Sequence, residues 1–169
     1  MKKILLFFVL SIFILSGCGK QNNISNPYEI KAGSKILSIH DDKTKFEENG
    51  FKTFNSGISL SDDNDLTGFI SCKDNCILID NNVVSVITIY DESVITHKSI
   101  SPGDDSSKIE DAFEYNNKFE YSDTQCSYSI FFDKNGKELK EENIEAEKAY
   151  SISYEVNNSK IESIRIGIE

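Results

Sequence analysis

Two asparagine pairs, each running into a β-branched stretch, limit what this chain can fold into. Asn81-Asn82 leads into Val83, Val84, Val86, Ile87 and Ile89, and Asn157-Asn158 leads into Ile161, Ile164 and Ile166. Asparagine suits tight turns, and valine and isoleucine suit a pleated, half-buried surface. Strand side chains alternate between faces, so Ile87 shares a face with Ile89, and Ile164 with Ile166. A strand is expected after each pair.

The stretches leading up to those strands also look alike. Gly33 is followed by Asp41-Asp42 and a short helical run through Phe46, with Asn49-Gly50 as its C-cap. Gly103 is followed by Asp104-Asp105-Ser106-Ser107 and a run with Ile109, Ala112 and Phe113 at helical spacing. Ser107 and Glu110 stand in capping-box relation. Between helix and final strand the first unit offers strands over 57–60, 66–72 and 76–80, and the second over 118–122, 127–132 and 149–156. Tyr150, Ile152, Tyr154 and Val156 alternate with polar residues, as on a half-buried strand. Residues 137–148 read as a short helix or a solvated hairpin arm. The expected fold class is α+β: two tandem units, each a short helix followed by an antiparallel β-meander. The units are placed at 31–98 and 99–169.

Ile100-Ser101-Pro102-Gly103-Asp104, the following helix with Ile109 and Phe113, and the closing strand over Lys160–Ile168 resemble the β-lactamase-inhibitor-protein-like repeat. That fold recurs in small bacterial lipoproteins, including those attached to the outer-membrane barrel assembly machinery. The likeness covers about 140 residues at fold level. It departs from the family at Tyr115-Asn116-Asn117, where a Leu-Gly-x-Pro would stand. It implies protein binding on a concave sheet face rather than catalysis.

At the N-terminus, Met1-Lys2-Lys3 precedes twelve residues, 4–15, of which only Ser11 is not apolar. A basic start, a short apolar core and small residues at the end form a secretory signal. Leu15-Ser16-Gly17-Cys18 resembles the lipobox of bacterial lipoproteins at all four positions. The resemblance implies cleavage before Cys18 and diacylglycerol on its thiol. Residues 1–17 are thus the signal peptide, and 18–30 the lipidated Cys18 and a polar tether with Asn22, Asn23, Asn26 and Pro27. A membrane-spanning reading fails on length: twelve helical residues cover roughly 18 Å of a hydrocarbon core about 30 Å thick. The tether, about ten flexible residues, reaches roughly 17–19 Å root-mean-square. The abundance of Lys, Asn, Ile and Asp is a codon-bias signature of a low-GC Gram-positive bacterium, with the protein on the extracytoplasmic face of the cell membrane.

Loss of residues 1–17 removes Lys2 and Lys3, which takes the formal charge from −10 to −12. So acidic a chain is a poor fit to nucleic acid or to a bare anionic lipid surface. The partners expected are the membrane, through the lipid at Cys18, and an envelope protein or peptide, basic or neutral. Three further cysteines remain: Cys72, Cys76 and Cys126. An exported compartment permits disulfides. Asp74-Asn75 between Cys72 and Cys76 has turn chemistry, so a hairpin would set the two thiols face to face as a candidate disulfide. Two small buried hydrophobes with free thiols is the other reading. Only His40 and His97 could join cysteines around zinc, so no metal site is assigned.

Residues 63–74 place Asp63, Asp65, Thr67, Gly68 and Asp74 at calcium-loop spacing. Asp74 is shorter than the glutamate such loops carry at the twelfth position, and the flanks read as strands. An acidic turn is the alternative. No Gly-x-Ser-x-Gly elbow or phosphate-cradling glycine loop is present. His40 and His97 lie in polar segments and are expected to face solvent. No catalytic residue and no cofactor is assigned. The function expected is a non-catalytic, lipid-anchored protein- or peptide-binding module, with aromatic anchors such as Tyr128, Tyr150 and Tyr154. The alternatives are an envelope hydrolase using paired carboxylates, or a calcium-dependent adhesion module.

Overall fold

The two asparagine-led strands lie side by side at the centre of the molecule. The structure, a computed structural model, describes residues 24–56 and 63–168. Within them the strands are β1 (Glu29–Ala32), β2 (Lys35–Ser38), β3 (Lys52–Asn55), β4 (Cys76–Asp80), β5 (Val83–Ile89), β6 (Asn117–Glu120), β7 (Gln125–Phe132), β8 (Tyr150–Asn157) and β9 (Lys160–Ile168). The α-helices are α1 (Lys43–Glu47), α2 (Asp63–Ser71), α3 (Ser107–Ala112) and α4 (Ile144–Glu147). β1 and β2 form a separate hairpin, and the other seven strands make one mixed sheet in the order β3-β4-β5-β9-β8-β7-β6. β5 and β9 run antiparallel, with Ile87 opposite Ile166 and Ile89 opposite Ile164.

One side of this sheet is the core. Ile77, Ile87, Ile89, Ile130, Phe132, Ile152, Tyr154, Ile164 and Ile166 are all buried there, covered by Ile30 and Leu37 of the small hairpin, Phe46 of α1 and Ile109 of α3. Each large side chain removed from water contributes about 1.5–3 kcal/mol. Packing against the sheet, on this side for α1 and α3 and on the other for α2, rather than helix propensity, sets the position of these helices: a helix of five to nine residues is not stable alone.

The architecture corrects the α+β expectation of two tandem helix-plus-meander units. The described residues are mostly β, with four short α-helices set against one continuous sheet. The first half is not an antiparallel meander, because β3 runs parallel to β4. Parallel neighbours need a crossover, and α2 lies in that crossover. α2 occupies most of 66–72, where a strand was expected. Leu66, Phe69 and Ile70 sit at i, i+3 and i+4, but only Phe69, with Cys72, buries against the sheet, while Leu66 and Ile70 are exposed. The strand expected over 57–60 falls outside the described residues. β1, β2 and β3 were not anticipated, whereas β4 to β9 lie where strands were expected.

The two helix openings do match locally. The Ser38 amide donates to Asp41 Oδ2 and the Ser101 amide to Asp104 Oδ2, both at 2.9 Å. The Thr44 amide donates to Asp42 at 2.9 Å and the Ser107 amide to Asp105 at 3.0 Å. Lys45 and Lys108 pair back to Asp41 and Asp104. These amide bonds favour the charged carboxylate and hold Asp42 and Asp105 below the ordinary range. The Ser107–Glu110 capping box does not form. Asp105 takes the amide that it would bind, and Glu110 accepts from the Tyr128 hydroxyl at 2.7 Å.

Both asparagine-led turns use left-handed backbone: φ is 48° and 66° at Asn81 and Asn82, and 50° and 62° at Asn158 and Ser159. Such mirror-image turns match the twist of the strands they join. Serine lacks asparagine's tolerance of this region. The left-handed region costs a side-chain-bearing residue about 1–2 kcal/mol, against about 0.5–1 kcal/mol of extra chain entropy lost by glycine. Ser159→Gly should therefore stabilise the protein by about 0.5–1 kcal/mol, read as a rise in the urea midpoint at unchanged slope.

Candidate recognition face

Paired residues on neighbouring strands share a face, so the registers read across the sheet as rows. On the side away from the core, one row runs Phe54, Leu78, Val86, Gly167, Ser151, Phe131. The next runs Lys52, Cys76, Thr88, Arg165, Ser153, Ser129, Asn117. A third runs Ser163, Glu155, Ser127, Phe119. The chemistry changes along the rows. Over β3, β4 and β5 the side chains are mainly apolar, and α2 covers them, packing Phe69 and Cys72 on Cys76 with Phe54, Leu78 and Val86 around them. Over β9, β8 and β7 they are mainly serine and glycine, with Arg165 and Glu155 exposed among them.

This second half is the candidate site. Its floor is a set of short hydroxyls: Ser129 and Ser153 lie 3.3 Å apart, and Ser127 meets the Tyr121 hydroxyl at 2.8 Å. Its β6 margin carries two large exposed aromatics, Phe119 at 56% and Tyr121 at 64% exposure. Its α2 margin is marked by Arg165, whose guanidinium lies 5.7 Å from the Phe69 ring centroid in cation–π geometry. Although its side chain reaches solvent, Glu155 is partly desolvated by the strands beside it, which pushes its carboxyl upward, and Arg165 opposes that shift by attraction. Ser127, Ser151 and Ser163 are buried between larger neighbours, and Ser129 and Ser153 are half-buried. The face thus offers aromatic anchors and a cation over a floor of small residues on rigid strands, and aromatics and arginine are the residue types that carry protein interfaces.

Tyr128 and Tyr154 do not belong to this face. Both are buried in the core, and Tyr150 is half-buried against Tyr28 and His40, its hydroxyl 2.9 Å from His40 Nε2. The period-two pattern that identified β7 and β8 also puts these tyrosines on the apolar side; their polar tips made them look exposed. Of the anchors that sequence reasoning missed, Phe119 sits on the edge strand β6 and Tyr121 directly after its end. Their parity with Ser127 was the available signal.

Cys18 lies outside the described residues. Cys72 and Cys76 are brought together in one buried cluster, as free thiols. Burial and then the hydrogen bond with Cys72 push the Cys76 thiol up to about 12. Cys126 is free and half-buried on β7. The proposed calcium-loop spacing falls on α2, so those positions run along a helix instead of wrapping an ion. Asp74 pairs with Lys52. Among the described residues no group of three His, Cys, Asp or Glu converges to hold a metal. His40 is exposed as expected, but His97 is buried, a correction explained by its contacts with Phe113 and Phe132. No helix among the described residues is long and apolar enough to cross a membrane. No family model, curated protein or solved structure matches the chain.

Proposed function

We propose that this protein is a non-catalytic binding module, lipid-anchored through Cys18 on the extracytoplasmic side of the cell membrane, and that it captures a protein or peptide on the outer face of β6–β9. The observation that carries the reading is the exposed pair Phe119 and Tyr121 beside a serine floor and Arg165. Phe119 and Tyr121, two residues apart on one face, gather two large aromatics at one margin of the sheet, and aromatics are enriched where proteins meet. Ile24 and Ile30, expected in a flexible tether, are instead buried in the body, so the stretch from Cys18 to Ile24, about six residues of at most ~3.5 Å each, keeps the body within about 20 Å of the membrane.

Each buried aromatic anchor at an interface carries on the order of 1–2 kcal/mol or more. The Phe119→Ala, Tyr121→Ala double variant should therefore lose more than tenfold of the envelope proteins that co-purify with the full chain, with its melting temperature retained. The acidic surface also predicts that capture of a basic partner slows as salt rises, because opposite-charge steering is screened. Equal recovery of partners by the double variant would contradict the assignment of the face. Turnover of a wall glycan, lost on changing one carboxylate pair, would replace binding by hydrolysis.

A further inference from the structure

β6 is an edge of the seven-stranded sheet, with no further strand on it among the described residues, and this edge is complementary to itself. The Tyr121 amide donates to the Gln125 carbonyl at 2.9 Å, and on the other side of β7 the Asn158 amide donates to the Thr124 carbonyl at 2.8 Å. Antiparallel hydrogen bonds alternate along a strand, so Asn117, Phe119 and Tyr121 turn their backbone groups inward to β7. Those of Lys118 and Glu120 point outward, with no partner strand among the described residues, as a template for another strand. The outward residues are one cation and one anion, which pair with each other at 3.0 Å within the strand.

We propose that β6 pairs antiparallel with β6 of a second copy of this chain, about a two-fold axis through Phe119. In that register Lys118 lies opposite Glu120 of the second copy, and Glu120 opposite its Lys118, so both charge pairs are attractive. Phe119 meets Phe119, and Asn117 meets Tyr121, on the recognition face. Any other partner strand would have to supply this order of charges, whereas a second copy does so by symmetry. The two sheets join into one, and their recognition faces become a single surface with four exposed aromatics at its centre. A four-residue edge is about 14 Å long, too short for tight pairing in dilute solution. Confinement of both copies to one membrane raises their effective concentration, and this part of the inference rests on the anchor proposed above.

The test places Phe119→Cys in the full chain, with Cys126→Ser to remove the half-buried thiol, and treats intact cells with a short bis-maleimide. The same variants are purified and treated at high protein concentration. A cross-linked band at twice the monomer mass is expected in both settings. Lys52→Cys, on the opposite edge strand β3, should give none. Lys118→Glu should reduce the yield more than tenfold by setting four carboxylates together, and adding Glu120→Lys should restore it. Fractionating the same cells reads the anchor separately, since a soluble chain that still cross-links when purified contradicts the anchor alone. Absence of the band in both settings, an equal band from Lys52→Cys, a product of another mass, or failure of the double charge swap to restore the yield overturns the pairing. Unchanged circular dichroism of each variant excludes misfolding as the cause.

Discussion

Cys18→Ala should move the protein from the membrane fraction to the medium or supernatant, a loss of more than a hundredfold in membrane-bound material. The proposed anchor is chemical. Each acyl methylene buried in the bilayer contributes about 0.8 kcal/mol, so two or three chains hold firmly, and without the thiol none is attached. The chain is strongly acidic, so its charge gives it no attraction to an anionic lipid surface. Labelling cells with a clickable fatty acid and fractionating them checks this directly. The wild type should carry label in the membrane fraction, and the variant should carry none and leave it. A labelled, membrane-bound variant would refute the anchor at Cys18.

Acid should unfold the protein through His97. Its ring lies between Phe113 and Phe132, with centroids 6.0 and 5.8 Å away, and its Nδ1 is buried without a hydrogen-bond partner. Burial, with some repulsion from Lys98, lowers its pKa from 6.5 to about 4, while a hydrogen bond to the Ile24 backbone opposes the shift. The unfolded chain therefore binds a proton that the folded protein refuses. Stability from this group is complete above pH 6.5 and is lost as pH falls towards 4. At about 1.4 kcal/mol per pKa unit the loss is about 3 kcal/mol. The backbone-bound carboxylates of Asp42, Asp91, Asp105 and Asp133 have lowered values, so their contribution declines only at lower pH. His97→Phe keeps a ring in the aromatic cage and removes the titration. Urea unfolding between pH 7 and pH 4 should show a steep fall for the wild type and a nearly flat profile for the variant. Parallel profiles would exclude His97 as the source.

What the sequence made legible follows the length and regularity of each element. β5, β7, β8 and β9 have seven to nine residues with clean alternation or β-branched runs, and all lie where expected. β1 to β3 have four residues each, too few for a period of two to stand out from chance. α2 was misread because Leu66, Phe69 and Ile70 sit among turn-forming residues, and an apolar run of that length fits either a helix or a strand. That misreading changed the strand order, since a helix there allows β3 to pair parallel to β4, while the three unread four-residue strands account for the larger β content. The likeness of the two halves was real in the aspartate-capped helix openings and the left-handed turns. It did not extend to the strand order, which depends on long-range pairing. The recognition face was hidden for a related reason. Phe119, Ser127, Glu155 and Ser163 come from four strands, and only the registers place them in one row.

The central claim is that the outer face of β6–β9 is where this protein meets its partner. A photoreactive phenylalanine at Ser153, in the middle of that face, tests it in living cells, with Glu48 beside α1 as an exposed control on the chain. Irradiation should give a discrete adduct to an envelope protein or peptide from Ser153 and none from Glu48, and the adduct should vanish in the Phe119→Ala, Tyr121→Ala background. Adducts from Glu48 alone, or from neither position, would contradict the account.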